Sequence, residues 1–389
     1  MALVLGEDQQ ILKQSAADFV KRESPVSRIR ELRDGQNSDG FSRELWQRMV
    51  ELGWAGILVP EQYGGLGMGC LEMMCVLEEC GRNLVPEPVF STAVLGVNSI
   101  LHGGTEEQKS SLLPSIVDGS LLATLAHQER GSRYDPSHVA VRAEKRGDSW
   151  VLNGEKIQVP DGHTADVLIV SARTSGEVGD ADGIALFLVK PDTPGVEVVR
   201  QSTMHLRNAA MLRLTDAEVG GDSLLGGDAC ADNAGPVIAD VIDRSTALLC
   251  AEMLGGMGTA FDMTLDYLKT RKQFGVLIGS FQALKHRAAL MFVELELSRS
   301  VVLGACDAID QGADNWREAV SAAKARCSDA GKLIGYEGIQ LHGGIGMTDE
   351  HDIGFYAKRA RGLELTFGDA AYHRARFAGL QGYLSLIHI

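Results

Sequence analysis

No run of about eighteen apolar residues occurs anywhere in this chain of 389 residues, so no segment reads as a membrane-spanning helix. Basic residues are the minority, with 37 Lys and Arg against 52 Asp and Glu and a net charge of −15. Such a surface repels polyanions, which argues against nucleic acid or an anionic membrane as a general partner. An anionic ligand would need a local basic pocket. The cysteines (Cys70, Cys75, Cys80, Cys230, Cys250, Cys306 and Cys327) are odd in number and lack CxxC spacing. That pattern fits neither a zinc ribbon nor a disulfide framework, and it implies a reducing compartment. The apolar opening Ala2-Leu3-Val4-Leu5 meets Glu7 and Asp8 too soon for a secretion signal, so a cytoplasmic protein is expected. Internal repeats and low-complexity tracts are missing too, which sets solenoids aside.

What the chain does have is 45% hydrophobic residues, enough to bury a large core across two or three domains. Its hydrophobic period changes twice. From residue 7 to about 120 the pattern is helical, with amphipathic stretches at Phe41 to Leu52 and Cys70 to Cys80 and a Gly-rich turn at Gly64-Gly65-Leu66-Gly67. Short β-rich runs follow, at Ser149 to Leu152, Asp166 to Ser171, Gly183 to Val189 and Val196 to Val199. After Gly226-Gly227 the helical period returns: Leu254, Met257, Phe261, Leu265 and Leu268 fall on one face, and Phe281, Leu284, Ala288, Met291 and Leu295 on another. The expected fold is therefore mainly α with a central β domain. An all-α domain is expected over 1–120, a compact β-barrel or sandwich over 121–228, and an antiparallel four-helix bundle over 229–389.

Two blocks in the last third carry chemistry. The first, Arg271-Lys272-Gln273-Phe274-Gly275 through Phe281-Gln282, joins a guanidinium and two amides to a helix-breaking turn. Arginine suits a pyrophosphate because its planar fork can bond two oxygens without losing charge. The second block, Gln340-Leu341-His342-Gly343-Gly344-Ile345-Gly346-Met347, adds another amide and two glycines that let a backbone approach a ligand closely. The two blocks, in this order, resemble the C-terminal signatures of the acyl-CoA dehydrogenase family. The words Glu51-Leu52-Gly53-Trp54, Val59-Pro60-Glu61 and Gly104-Thr105-Glu106-Glu107 resemble its N-terminal domain. The resemblance implies an N-terminal helical domain, a β-barrel middle domain and a C-terminal four-helix bundle. It also implies FAD, an acyl-CoA thioester substrate, 2,3-desaturation, and electron-transferring flavoprotein as the acceptor. In that family Arg271, Gln273, Phe274, Gln282, Gln340, Gly343 and Gly344 match the residues that reach across a dimer interface to the adenosine and pyrophosphate of a neighbour's FAD.

The reacting end departs from the pattern. Abstraction of the α-proton needs a carboxylate beside the α-carbon, and Phe367 stands where the family commonly carries its glutamate. Some members place the base instead on the helix before Arg271, next to an arginine. Asp243-Arg244 is the nearest match, but it is two residues out of register, and the ungapped position falls on Ser245. The structural alternative for Asp243 is a first-turn acid offsetting a helix dipole. In the flavin-facing loop, Glu129, Gly131 and Asp135 fit the family, whereas Gln128 and Tyr134 replace hydroxyl residues. Beyond Asn153-Gly154-Glu155-Lys156, Gln158 and Pro160 replace an aromatic residue and a threonine, and proline has no N–H to offer a flavin. No residue is assigned as catalytic. The expectation is a base-lacking subunit that supplies the adenine half-site to a homologous partner carrying the glutamate, most like the small subunits of heteromeric pimeloyl-CoA-type or steroid side-chain dehydrogenases. A self-sufficient homotetramer using Asp243 and a flavin-free scaffold are the alternatives.

Overall fold

A computed structural model describes residues 4–35 and 37–383. Six helices open the chain: α1 (Glu7–Glu23), α2 (Ser27–Asp34), α3 (Arg43–Glu51), α4 (Cys70–Arg82), α5 (Val97–Gly103) and α6 (Glu106–Val117). A π-helical segment, Val89–Gly96, leads into α5. Local chemistry fixes the helix starts. Ser42 accepts from Leu45 N at 3.1 Å to cap α3, and Thr105 with Gln108 forms a capping box on α6. Gly69 has no side chain to cap α4, and Asp310 serves instead, accepting from Cys70 N at 2.6 Å and Leu71 N at 3.0 Å.

Seven strands follow: β1 (Ala123–Ala126), β2 (Arg142–Arg146), β3 (Ser149–Pro160), β4 (Val167–Arg173), β5 (Ile184–Val189), β6 (Val196–Gln201) and β7 (Ala209–Gly220). They form one curled sheet in the order β1-β4-β2-β3-β7-β6, with β5 on the other edge of β4. β3 and β7 are its long antiparallel spine, broken by bulges at Leu152/Gly154 and Lys156/Val159. Inside the curl lies a separate core of Trp150, Leu152, Phe187, Leu212 and Leu214. Arg173 is wholly buried there without a carboxylate partner. It donates to the carbonyls of Ser137, Val139, Asp180 and Asp182 at 2.9–3.0 Å, tying the sheet's loops together.

The last third is helical: α7 (Gly235–Thr270), a hairpin of β8 (Lys272–Gln273) and β9 (Val276–Leu277), α8 (Gln282–Asp310), α9 (Trp316–His342), α10 (Ile353–Leu365) and α11 (Ala370–Leu380). The N-terminal and C-terminal helices share one continuous core, running from Phe19 and Trp54 to Met257, Ile334 and Phe367. Their seam is a backbone-to-backbone crossing of α4 and α7. A Cβ on Gly255 would lie 1.8 Å from Glu78 O, and one on Gly81 would lie 2.1 Å from Glu252 O. Among the described residues, no helix is long and apolar enough to cross a membrane.

The crossing yields a test. Gly255→Ala forces the two helices apart and is expected to cost about 2–3 kcal/mol. Gly354→Ala, in α10 with nothing within 4 Å of the added methyl, is expected to be neutral or to stabilise by up to ~1 kcal/mol. Urea unfolding midpoints at constant slope check both.

Candidate cofactor site

The two blocks read from sequence as adenine-end ligands meet in space. α7 ends at Thr270, and Arg271 turns out of it in extended conformation. Phe274 (φ 54°) and Gly275 (φ 79°) then make a tight hairpin turn with two positive φ angles. Phe274 is 90% exposed and touches only the edge of Phe281, ring centroids 6.1 Å apart. One turn before Arg271, the Tyr267 ring stacks on His342 at 4.7 Å, and His342 lies against His351 at 4.3 Å. His342 is two residues beyond Gln340, so this stack draws the end of α9 to the end of α7. Gly343 has φ 65° and ψ −138°, a conformation only glycine adopts readily. Gly344 has open space around its Cβ position, so nothing in its own chain requires a glycine there.

All seven of these residues are exposed. The side chains of Arg271, Gln282 and Gln340 have no hydrogen-bond or ion-pair partner among the described residues, while Gln273 Nε2 bonds the carbonyl of Lys272 at 2.8 Å. An unpaired guanidinium flanked by free amides and a bare glycine turn is a surface prepared for an anionic, planar ligand from outside the chain. The adenine end of FAD fits it.

The ring end is built differently. Glu129 and Lys156 form a buried pair at 2.5 Å, with Glu129 also accepting from Ala140 N at 2.7 Å and Val141 N at 3.1 Å. Burial pulls the Lys156 ammonium down to about 8, with Glu129 opposing. This scaffold holds the 127–135 loop against β3. At the β3 bulge Gln158 takes φ 51°, and its N–H is used by Gln201 Oε1 at 3.2 Å. Pro160 closes the strand opposite Ala209. Where the loop faces the helices, aromatic rings fill the gap. Phe367 packs 5.6 Å from His127 and 6.2 Å from Phe90, while Tyr134 lies 5.2 Å from Tyr372. What remains is a slot of about 10 Å³ lined by His127, Gln128, Tyr134, Ile242 and Phe367. An isoalloxazine ring does not fit it.

Phe367 is itself held tightly. It sits at φ 58°, its carbonyl bonded by His373 Nε2 at 3.0 Å. Lys324 Nζ donates to Glu364 O at 2.9 Å and to Gly368 O at 2.6 Å. Asp243 lies in the third turn of α7, not in a first turn, so the helix-dipole expectation for it is wrong. It is turned away from the slot that Ile242 lines, bonding Arg376 at 2.6 Å with Arg317 at 3.5 Å. Burial raises its carboxyl and those arginines pull it back. Ser245, at the ungapped base position, is fully buried with its hydroxyl unpartnered among the described residues.

Ring slot and arginine therefore stand at opposite ends of one helix. From Ile242 to Arg271 is about 40 Å at 1.5 Å per residue, too far for one dinucleotide to bridge. Sequence reading missed Lys324, His373 and the Tyr267–His342 stack. Lys324 alone left a signal, a charge on the apolar face that Val320, Cys327 and Gly331 define. The stack joins residues far apart in sequence and left none.

A curled β domain between two helical domains sharing one core defines an acyl-CoA dehydrogenase-like architecture. Family models for the acyl-CoA dehydrogenase N-terminal, middle and C-terminal domains match residues 6–120, 124–217 and 233–379. Isovaleryl-CoA dehydrogenase of Pongo abelii is 31% identical over 379 residues, 95% of this chain and 88% of that protein. A solved steroid ACAD, Tcur3481-Tcur3483, is similar at 30% identity and a TM-score of 0.86, covering 98% of this chain and 100% of that one. The ChsE4-ChsE5 complex of Mycobacterium tuberculosis matches at 28% identity and a TM-score of 0.86, covering 98% and 99%. The chain belongs to the acyl-CoA dehydrogenase family, FAD-dependent oxidoreductases acting on the CH–CH bond of acyl-CoA thioesters.

Three histidines pack into this region as neutral rings. Burial lowers His127, His205 and His373 from 6.5 to about 3. Between those values the unfolded chain takes up protons that the folded chain refuses, so stability is full above about 6.5 and falls as pH drops toward 3. Each ring contributes at most ~1.4 kcal/mol per pH unit. His373→Gln keeps a donor for Phe367 O but does not titrate. It is expected to flatten the pH dependence of unfolding by about 1 kcal/mol per unit across that window.

Proposed function

We propose that this chain is the base-lacking subunit of a heteromeric, FAD-dependent acyl-CoA dehydrogenase. It lends its exposed Arg271 surface to the FAD of a homologous partner that carries the glutamate. The observation that carries this reading is the pairing of a slot filled by Phe367 with an exposed arginine at the far end of α7 that has no side-chain partner among the described residues. Bound FAD supplies the hydride acceptor for desaturation. In this chain Arg271 and Gln340 would hold its pyrophosphate and adenosine, with Gln273, Phe274, Gln282, Gly343 and Gly344 shaping the surface around them. None of the three candidate base positions offers a free carboxylate: Phe367 and Ser245 have none, and Asp243 is committed to two arginines. The outer face of α8 supports a chain–chain contact, since Leu290, Phe292, Val293 and Leu297 are between 43% and 60% exposed. Both solved structures described above carry the names of two different proteins. In this reading the substrate is an acyl-CoA thioester bound by the partner, electron-transferring flavoprotein takes the electrons, and the seven free thiols suit the cytoplasm. The self-sufficient alternative would require Asp243 to leave Arg376.

The chain purified alone is expected to carry little flavin and to leave it unreduced by any acyl-CoA under anaerobic conditions. Co-expression with a homologous subunit restores both. Within that complex Arg271→Ala removes charge-assisted bonds of about 1.5–3 kcal/mol, weakening FAD retention roughly 10- to 100-fold. Unchanged FAD content sinks the half-site reading. Phe367→Glu alone is expected to give no turnover, because a base adds only about 10²–10⁴-fold where a flavin is already held. Substrate-dependent bleaching by the homomeric wild-type chain would replace this reading with the homotetramer.

A further inference from the structure

Lys324 is the most deeply buried ammonium in the C-terminal helices, with no exposure and no carboxylate within ion-pairing distance among the described residues. A buried charge without a counterion is costly unless its donors are fully used. All three of its hydrogens are. One goes to Ser328 Oγ at 3.4 Å, and the others to the carbonyls of Glu364 and Gly368, which bracket Phe367 on both sides. His373 Nε2 takes the carbonyl between them, and Thr366 Oγ1 bonds Gly362 O at 3.0 Å. At the end of α10, Glu364 O is thus answered from α9 and Gly362 O by Thr366, while Phe367 O and Gly368 O just beyond it are answered from α11 and α9. Gly368 adds a steric lock: at φ 116°, a Cβ there would lie 2.4 Å from Tyr372 and 2.7 Å from His373 Nε2.

We infer that Lys324 is a positioning residue whose task is to hold Phe367 in the ring slot, so that the chain's own flavin-ring site is kept shut by a clamp and not merely by a bulky side chain. The inference rests on the half-site reading for its purpose, but not for its geometry. A turn fixed at the carbonyls of Glu364, Phe367 and Gly368 has little freedom to swing Phe367 outward. The left-handed φ of Phe367, unfavourable for a bulky residue, persists because the bonds on either side over-determine it.

Hydrogen exchange of the full chain tests the clamp. Lys324→Met keeps the length of the stem and removes the donors, whereas Lys324→Gln keeps an amide that can serve one carbonyl. Amides of residues 364–369 are expected to exchange roughly tenfold or more faster in Lys324→Met, with Lys324→Gln intermediate and α4 and α7 still protected. Ile334→Ala, an equally buried change on the same helix, is expected to lower global stability without selectively loosening 364–369. Unchanged exchange in both Lys324 variants overturns the inference. So does equal loosening by Ile334→Ala, which would make Lys324 an ordinary core residue. If Lys324→Met does not fold, Lys324→Gln alone decides by the same criterion. FAD content of the wild-type chain, measured separately, reports on the half-site reading: a full complement of FAD in the chain alone ends that reading, while the exchange result still decides the clamp.

Discussion

The geometry of this chain hangs on the glycine-to-carbonyl crossing of α4 and α7. Two helices can approach this closely only where neither carries a side chain at the contact, and Gly81 and Gly255 each face a carbonyl of the other helix. The contact fixes the long axis of α7 against the N-terminal domain, and α7 is the ruler for everything functional. Ile242 near its start faces the 127–136 loop of the middle domain, Glu252 marks the crossing, and Tyr267 lies in its last turn just before Arg271. A tilt of a few degrees at the crossing would move the helix ends by several ångströms. The Phe367 slot and the Arg271 surface are therefore rigidly placed with respect to each other.

Buried charge reinforces the same seam. Glu252 bonds Arg359 at 2.9 Å, with Arg207 from the β6–β7 loop closing on its other oxygen. Glu78 meets Arg299 at 2.6 Å and also Lys13, so one turn of α4 is tied to α1 and α8. Such pairs add little net stability over well-packed apolar residues, because removing both charges from water costs about what their attraction returns. Their value is geometric: a carboxylate that must find its arginine admits one arrangement of helices and sheet, whereas apolar side chains admit several. Arg207 illustrates this, since it carries the β domain onto α7 and lies over the Phe90 ring at 4.9 Å, beside the slot.

The helical segments were legible because their apolar residues recur at helical spacing and are buried as that spacing requires. Phe41 to Leu52 contains α3, Cys70 to Cys80 lies within α4, and Leu254, Met257, Phe261 and Leu268 are buried on α7. The sheet was half legible. β1 reads Ala-Thr-Leu-Ala and β2 reads Arg-Ala-Glu-Lys-Arg, sequences with little intrinsic strand preference, and both are strands because β4 and β3 pair with them. β7 escaped because its first third, Ala-Ala-Met-Leu, is buried on both faces and shows no alternation. At the site, Phe367 and the Arg271 block were visible as residue types at telling positions. The arginines that occupy Asp243 were not, since Arg317 and Arg376 lie 74 and 133 residues further along the chain.

In the half-site proposal, loss of the base and loss of the ring site are physically one event. With a small neutral residue in place of Phe367, a cavity would remain beside its ring neighbours Phe90 and His127. Unfilled apolar cavities cost about 24 cal/mol per Å³. On that proposal the chain holds no ring and must close the space, and an aromatic side chain at the position of the missing base is the most direct filler. Filling it then favours further apolar contact, here the Tyr134–Tyr372 pair that fastens the loop of the middle domain to α11. Each step lowers the free energy of the empty subunit and raises the cost of readmitting a flavin. The adenine surface lies some 40 Å away along α7 and shares no contact with the filler, so it escapes this pressure. That separation is what would let one end of a cofactor site close, as proposed, while the other end stays intact.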